Sequence, residues 1–317
     1  MRFVRKKLVQ LVIVLLAVTF ISFWMLNWLP GNTAQVLCGA TGGQECVDQK
    51  TEELGLDDPL VVRYVRWLGD AIQGDLGTSA RNQQPVWEAI TQRMPVTIEL
   101  LIYSQFIALA VSIPLAIIAA QRNGGIFDRV STSVAFGLLS VPNFVLALVL
   151  ILLFAVRWRL FPATGYTELT ENPIENLRSL FLPALTLAVA EMAVYLRLLR
   201  TDLIATLQED YITMAKAKGM PSGHILRKHA FRPSTFSLVT VAGLNMGRLI
   251  GGTLIIEVIF ALNGLGKYLV DGILGRDYIP VQGAVVVIAT GYVLINFAVD
   301  MLYAVLDPRI RHARAIA

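Results

Sequence analysis

Long apolar runs separated by short polar segments dominate this chain, a coarser alternation than the period of two or 3.6 that shapes a soluble core. Six runs stand out, at 8–28, 96–120, 134–156, 180–199, 235–260 and 281–306. About 20 helical residues cross a hydrocarbon layer of about 30 Å, so the pattern predicts about six transmembrane helices and an all-α integral membrane protein. An even number places both termini on one side. Pro114 and Pro142 fall inside the second and third runs, where each frees a carbonyl and permits a kink.

Between the first two runs, Tyr64, Trp67, Leu68, Ala71 and Ile72 recur at the spacing of one helix face, and Gly74 and Gly77 end the pattern. This predicts one amphipathic helix in a long polar segment. It is either a cap whose apolar stripe rests on the bundle or a helix lying at the interface. The segments 157–179 and 261–280 read as turn-rich loops, the second with a short helix near 268–274.

Composition agrees with the runs: 55% of residues are hydrophobic, 16% are charged and the mean hydropathy is +0.61, which excludes a soluble surface. Arg2, Arg5, Lys6 and Lys7 precede the first run as they would a secretory signal, but the apolar stretch is longer than a signal core and no A-x-A site follows. Leu37 likewise fills the place where a lipoprotein signal ending at Cys38 needs a small residue. A retained first helix is expected.

Charge sets the orientation. With the N-terminus inside, sixteen of the 27 Lys and Arg fall in the short inner segments, ten in the longer outer ones, and Arg248 lies within a run. The inside excess predicts cytoplasmic termini in a cell membrane. It also accounts for the net charge of +4 and pI of 9.1, so these do not imply nucleic acid. Cys38 and Cys46 fall in the outer segment, where they either form a disulfide or remain two separate structural thiols.

Glu99, Glu191, Arg248, Glu257 and Asp300 lie within or at the edges of the runs, where an unpaired charge costs several kcal/mol. At about 1.5 Å per residue, Arg248 stands roughly 20 Å from the inner end of its run and Glu191 roughly 16 Å from the outer end of its own. Both are near mid-membrane, which predicts a Glu191–Arg248 pair, acting either as a structural lock or as part of a path lining. Asn245 and Asn296 are further candidates for a polar path.

Catalytic chemistry has no support. Gly264-Leu265-Gly266-Lys267 is the nearest approach to a phosphate loop, but Ala261 and Tyr268 replace its first glycine and its hydroxyl residue. Three histidines give no H-E-x-x-H, and two cysteines cannot make a four-cysteine site. Matching inverted halves are not evident, which counts against a self-contained secondary carrier.

The inner segment 209–233, EDYITMAKAKGMPSGHILRKHAFRP, carries the strongest local pattern. Helical polarity runs from Asp202 to Lys218, with Leu203, Leu207, Tyr211, Met214, Ala215 and Lys218 near one side. Gly219 then suits a left-handed exit, Pro221 blocks continuation, and Ser222 is placed to cap a second short helix. On these features alone a basic helix held by anionic lipid is an equal reading.

This stretch resembles the cytoplasmic EAA loop of ABC-importer membrane subunits, matched by Glu209, Tyr211, Ala215, Ala217, Gly219, Ile225 and His229; Met214 departs from it, since many members carry a small residue there. Residues 54–79, 251–283 and 300–311 resemble the first permease subunit of dipeptide and oligopeptide importers, so the likeness spans nearly the whole chain.

The resemblance implies a type I ABC importer permease fold with a cytoplasmic coupling helix and an extracytoplasmic segment after the first helix. It divides the chain into a first helix (1–29), an extracytoplasmic segment (30–95), a core (96–306) with its coupling loop at 201–234, and a cytoplasmic tail (307–317). Glu209, Tyr211, Ala215, Gly219, Ile225 and His229 would contact the ATPase. The implied partners are a second permease subunit, two cytoplasmic nucleotide-binding subunits or domains, an extracytoplasmic binding protein, peptide cargo and membrane lipid. ATP and Mg would be bound by the ATPase partners and no cofactor by this chain. Nickel importers share these blocks and are the nearest rival reading; a proton-coupled carrier is more distant.

Overall fold

The computed structural model describes residues 2–26, 34, 38, 43–53, 55 and 57–306, and the expected tail at 307–317 lies outside them. The described residues form helices joined by turns: α1 (Arg2–Leu26), α2 (Gln44–Glu53), α3 (Leu60–Ile72), α4 (Val86–Gln121), α5 (Ile126–Leu139), α6 (Asn143–Arg157), α7 (Pro173–Leu207), α8 (Asp210–Ala217), α9 (Ser222–Ile259), α10 (Leu265–Leu274) and α11 (Tyr278–Leu306). Five of these are long and apolar enough to cross a membrane, and α5 with α6 makes a sixth if the bent pair is one span.

That pair corrects the expected third span. The run 134–156 straddles two helices that meet at 103°. Ser140 N–H and Val141 N–H bond back to Gly137 and Leu138 carbonyls, closing α5, while Pro142 stands extended before α6. The bend that proline permits is here a full break, because Pro142 has no N–H to continue the ladder.

The described residues fold as two compact units, those up to 98 with 261–297, and 99–260 with those from 298 to 306. In the first unit, Leu76, Val86, Ile90 and Leu265 form a buried cluster flanked by Trp67, Ala71, Met94, Tyr268 and Ile279. Burial of Val86, Ala89 and Ile90 also explains why α4 starts ten residues before the expected 96 and runs through Pro95. Gly283 lies so close to Val86 that a Cβ would overlap its side chain, so this glycine permits the approach of α11 to α4.

The amphipathic stripe of α3 meets α1. Tyr64 is buried, its hydroxyl lies 2.8 Å from Thr19 Oγ1, and its ring meets Phe20 and Phe23 edge-on. The short helix expected near 268–274 is α10, which starts three residues earlier.

The second unit centres on α7, which packs along α9 and α5. Small residues line the buried positions, including Ala184, Ala188 and Ala193 on α7 and Ala242 and Gly247 on α9. Lipid tails are as apolar as leucine, so helices in a bilayer associate through such close packing rather than through escape from water. Val134, Phe136 and Leu152 remain exposed, a polarity that suits a hydrocarbon surround.

Candidate functional site

Two arrangements in the second unit carry the candidate residues. The first is the hinged segment between α7 and α9. Expected helical polarity from Asp202 to Lys218 is interrupted: α7 runs to Leu207, Gln208 and Glu209 turn, and α8 begins at Asp210. The interruption shifts the phase of the stripe. Leu203, Ile212 and Ala215 are buried, whereas Tyr211, Met214 and Lys218 face outward.

α8 ends in a two-bond cap. Gly219 N–H donates to Lys216 O at 2.9 Å and Met220 N–H to Ala215 O at 3.3 Å, with Gly219 at φ +77°. Only glycine adopts that left-handed exit without a Cβ penalty. Pro221, extended at ψ 140°, is the residue before α9, and Ser222 is already helical with no capping bond, a departure from its expected role. The second helix is not short either. It continues for 38 residues into the next span, so α8 is joined to a membrane helix through one glycine turn.

The first turns of α9 hold α8 in place. Ile225, Leu226 and Ala230 are buried, and Ile225–Phe231 winds as a π-helix, a rare form that recurs at functional places. Tyr211 Oη donates to His229 O at 3.4 Å. Of the expected contact residues, Ala215 and Ile225 therefore serve internal packing. Glu209, Tyr211 and Gly219 are exposed and His229 is half-buried. Tyr211, Met214 and Met220, at 45%, 58% and 37% exposure, form an outward apolar set beside Lys216 and Lys218.

The second arrangement is polar and lies within the spans. The expected Glu191–Arg248 pair is a relay rather than a direct contact. Asn245 Nδ2 donates to Glu191 Oε2, and Arg248 Nη2 donates to Asn245 Oδ1. Asn245 is 1% exposed, Glu191 half-buried and Arg248 exposed. Tyr195, fully buried one turn along α7, donates its hydroxyl to Gln105 Oε1 at 3.2 Å. Asn296 belongs to the other unit and donates to Tyr292 O at 3.0 Å. Glu257 is fully buried. Cys38 and Cys46 are joined as a disulfide, with Cα atoms 6.0 Å apart.

Sequence reasoning missed three polar constructions. Arg200 on α7 holds Asp128 on α5 through Nε and through Nη2 at 2.6 Å, while Gly124 N–H donates to the same carboxylate at 2.9 Å. Glu99 accepts from Tyr166 Oη at 3.0 Å and Asn176 Nδ2 at 2.8 Å. In the first unit, an open cleft of about 300 Å³ is lined in part by Arg81, Arg93, Tyr268, Asp271 and Asp277. Position near the end of a run was the available signal for Glu99; the other two depend on turns whose partners are far apart in sequence.

Residues 1–101 match the N-terminal family of binding-protein-dependent transport system membrane components, and residues 112–312 match the binding-protein-dependent transport system inner membrane component family. A peptide transport system permease protein of Brucella abortus is 39% identical, covering 97% of this chain and 98% of the relative. The dipeptide transport system permease protein DppB of Escherichia coli K12 is 34% identical over 99% of this chain and its own full length. Among solved structures, the inward-facing MetNI methionine ABC transporter matches 68% of this chain and 95% of its own with a TM-score of 0.55 and 18% identity, a likeness of fold. With both family models accounting for most of its length and near-full-length relatives above 30% identity, the chain belongs to the inner-membrane permease components of binding-protein-dependent ABC transporters, a multi-pass transport subunit of the inner membrane.

Proposed function

We propose that this chain is the membrane-spanning subunit of a peptide importer, forming half of a translocation path with a second, similar permease. An extracytoplasmic binding protein delivers the cargo, and two cytoplasmic ATPase subunits or domains bind ATP and Mg. The chain itself hydrolyses nothing. Both termini and the hinged segment lie in the cytoplasm, in keeping with the Lys and Arg bias of the inner segments.

One observation carries the mechanical part of this reading. α8 presents Tyr211 and Met214 outward, buries Ile212 and Ala215 against the start of α9, and passes into that helix through Gly219. A motor that grips the outward face moves a membrane helix with little slack. The exposed apolar pair supplies the anchors, since aromatic and methionine side chains contribute much of the contact at interfaces.

Peptide cargo is supported by the names of the relatives, which describe peptide and dipeptide permeases. Nickel cargo draws no support from them. Co-purification of the chain in mild detergent, followed by ATP-dependent uptake in proteoliposomes, tests the reading. Met214→Asp is expected to release the ATPase and abolish uptake while leaving the permease pair intact. Uptake that persists without ATP under a proton gradient would instead indicate a carrier.

A further inference from the structure

Arg248 is a charged residue on an open helix face. Its neighbours along that face of α9 are Leu244 at 47% exposure and Ile255 at 57%, and a Cβ added at Gly251 would meet nothing within 4 Å. Eleven residues, roughly 16 Å, separate Arg248 from the end of α9 at Ile259. A guanidinium at that depth is strongly disfavoured against hydrocarbon. This part of the face therefore turns toward water or an anion.

The relay explains why the charge is kept available. A direct ion pair with Glu191 would largely quench both charges. With Asn245 between them, the carboxylate polarises the amide and the amide fixes one guanidinium nitrogen, while the two charges remain separated. A guanidinium has five N–H donors, and the bond to Asn245 uses one nitrogen of the fork. The rest of the fork is held in orientation on an open face beside a glycine. Such a group suits a carboxylate, which it binds with charge-assisted bonds in two-point geometry.

We infer that Arg248, tethered through Asn245 to Glu191, is the point in the path that takes the C-terminal carboxylate of the cargo. This deepens the peptide reading above and rests on it. Side chains of peptides vary, but every unblocked peptide ends in a carboxylate, so one arginine reads the class without reading the sequence. Binding and release move no covalent bond. Glu191 balances the charge when the path is empty.

The test uses the whole complex in ATP-loaded proteoliposomes. A mixed pool of peptides two to five residues long, and the same pool amidated at the C-terminus, are each supplied at concentrations that saturate the binding protein. The unaltered complex is expected to import the acids about 10- to 100-fold faster than the amides, the range of a lost charge-assisted contact. Arg248→Gln should slow the acids more than the amides and bring the acid-to-amide ratio close to one, and Arg248→Lys should retain part of the preference.

A preference that survives Arg248→Gln, or its absence from the unaltered complex, overturns the inference. Failure of Arg248→Gln to assemble, with Arg248→Lys assembling and importing both pools alike, assigns the guanidinium to a carboxylate of the neighbouring permease and also overturns it. An unaltered complex that imports neither pool from a loaded binding protein removes the peptide reading itself.

Discussion

Asp277 accepts a 2.5 Å hydrogen bond from the hydroxyl of Ser79, 198 positions away in sequence. The same carboxylate accepts from the backbone N–H groups of Ala80 at 3.1 Å and Arg81 at 3.4 Å, and Asp277 is 4% exposed. One side chain thus closes the turn before α4 onto the turn before α11.

Replacing Asp277 with Ala removes the acceptor of the Ser79 hydroxyl and of Ala80 N–H, and leaves Arg81 N–H only its bond to Ser79 Oγ. The expected loss is about 3 kcal/mol, read as a lowered melting temperature in detergent, because a missing charged acceptor costs more than a typical hydrogen bond. Ser79→Ala should cost about 1 to 2 kcal/mol, since both backbone bonds to Asp277 remain but the N–H groups of Arg81 and Asn82 lose Ser79 Oγ as an acceptor.

The Asp128–Arg200 clamp makes a second thermodynamic prediction. Their side chains are 4% and 22% exposed. Asp128→Ala leaves the Arg200 guanidinium and Gly124 N–H poorly satisfied, so a loss of about 2 to 3 kcal/mol is expected. The paired Asp128→Leu, Arg200→Met variant should recover much of that loss, because it removes both charges together. A double variant as unstable as the single one would show that the pair contributes more than mutual neutralisation.

Gly219 makes a functional prediction. A Cβ there meets nothing within 4 Å, so the cost of Gly219→Ala comes from its φ of +77° rather than from a clash. About 1 kcal/mol of local strain is expected, and Gly219→Asn should be milder. On the proposed mechanism, ATPase stimulation by loaded binding protein falls severalfold in the alanine variant while the complex still assembles. Unchanged stimulation would detach this turn from the coupling.

Tyr166 makes a pH prediction. Burial, followed by its hydrogen bond to Glu99, raises its phenol well above the ordinary value of 10.0. A raised folded value means that the folded chain holds the proton longer. Its contribution to stability is therefore complete below about pH 10 and is lost as pH rises beyond that. Ultraviolet difference titration of the chain against Tyr166→Phe should show one phenol ionising later than the ordinary range. Glu99→Gln should bring that transition down.

Much of the body was legible without coordinates. The spans follow from the length of the apolar runs, because a bilayer imposes a fixed thickness and demands internally satisfied backbone. The turn at Gly219 was legible too, since a left-handed residue ahead of a proline leaves few options. The side presented by α8 was not. The stripe read from Leu203 through Lys218 assumes one continuous helix; the break at Gln208–Glu209 keeps Ala215 buried but turns Ile212 inward and Tyr211 and Met214 outward.

What the sequence by itself determined is membrane residence, the approximate spans and the location of the hinged segment, all properties of local composition and backbone chemistry. Tertiary structure alone decided that Asn245 stands between Glu191 and Arg248, that Arg200 grips Asp128, and that Asp277 closes two distant turns. The reason is physical: periodicity reports which side of a helix is apolar, but hydrogen bonds depend on positions to within a few tenths of an ångström. Those positions exist only once helices far apart in the chain have packed.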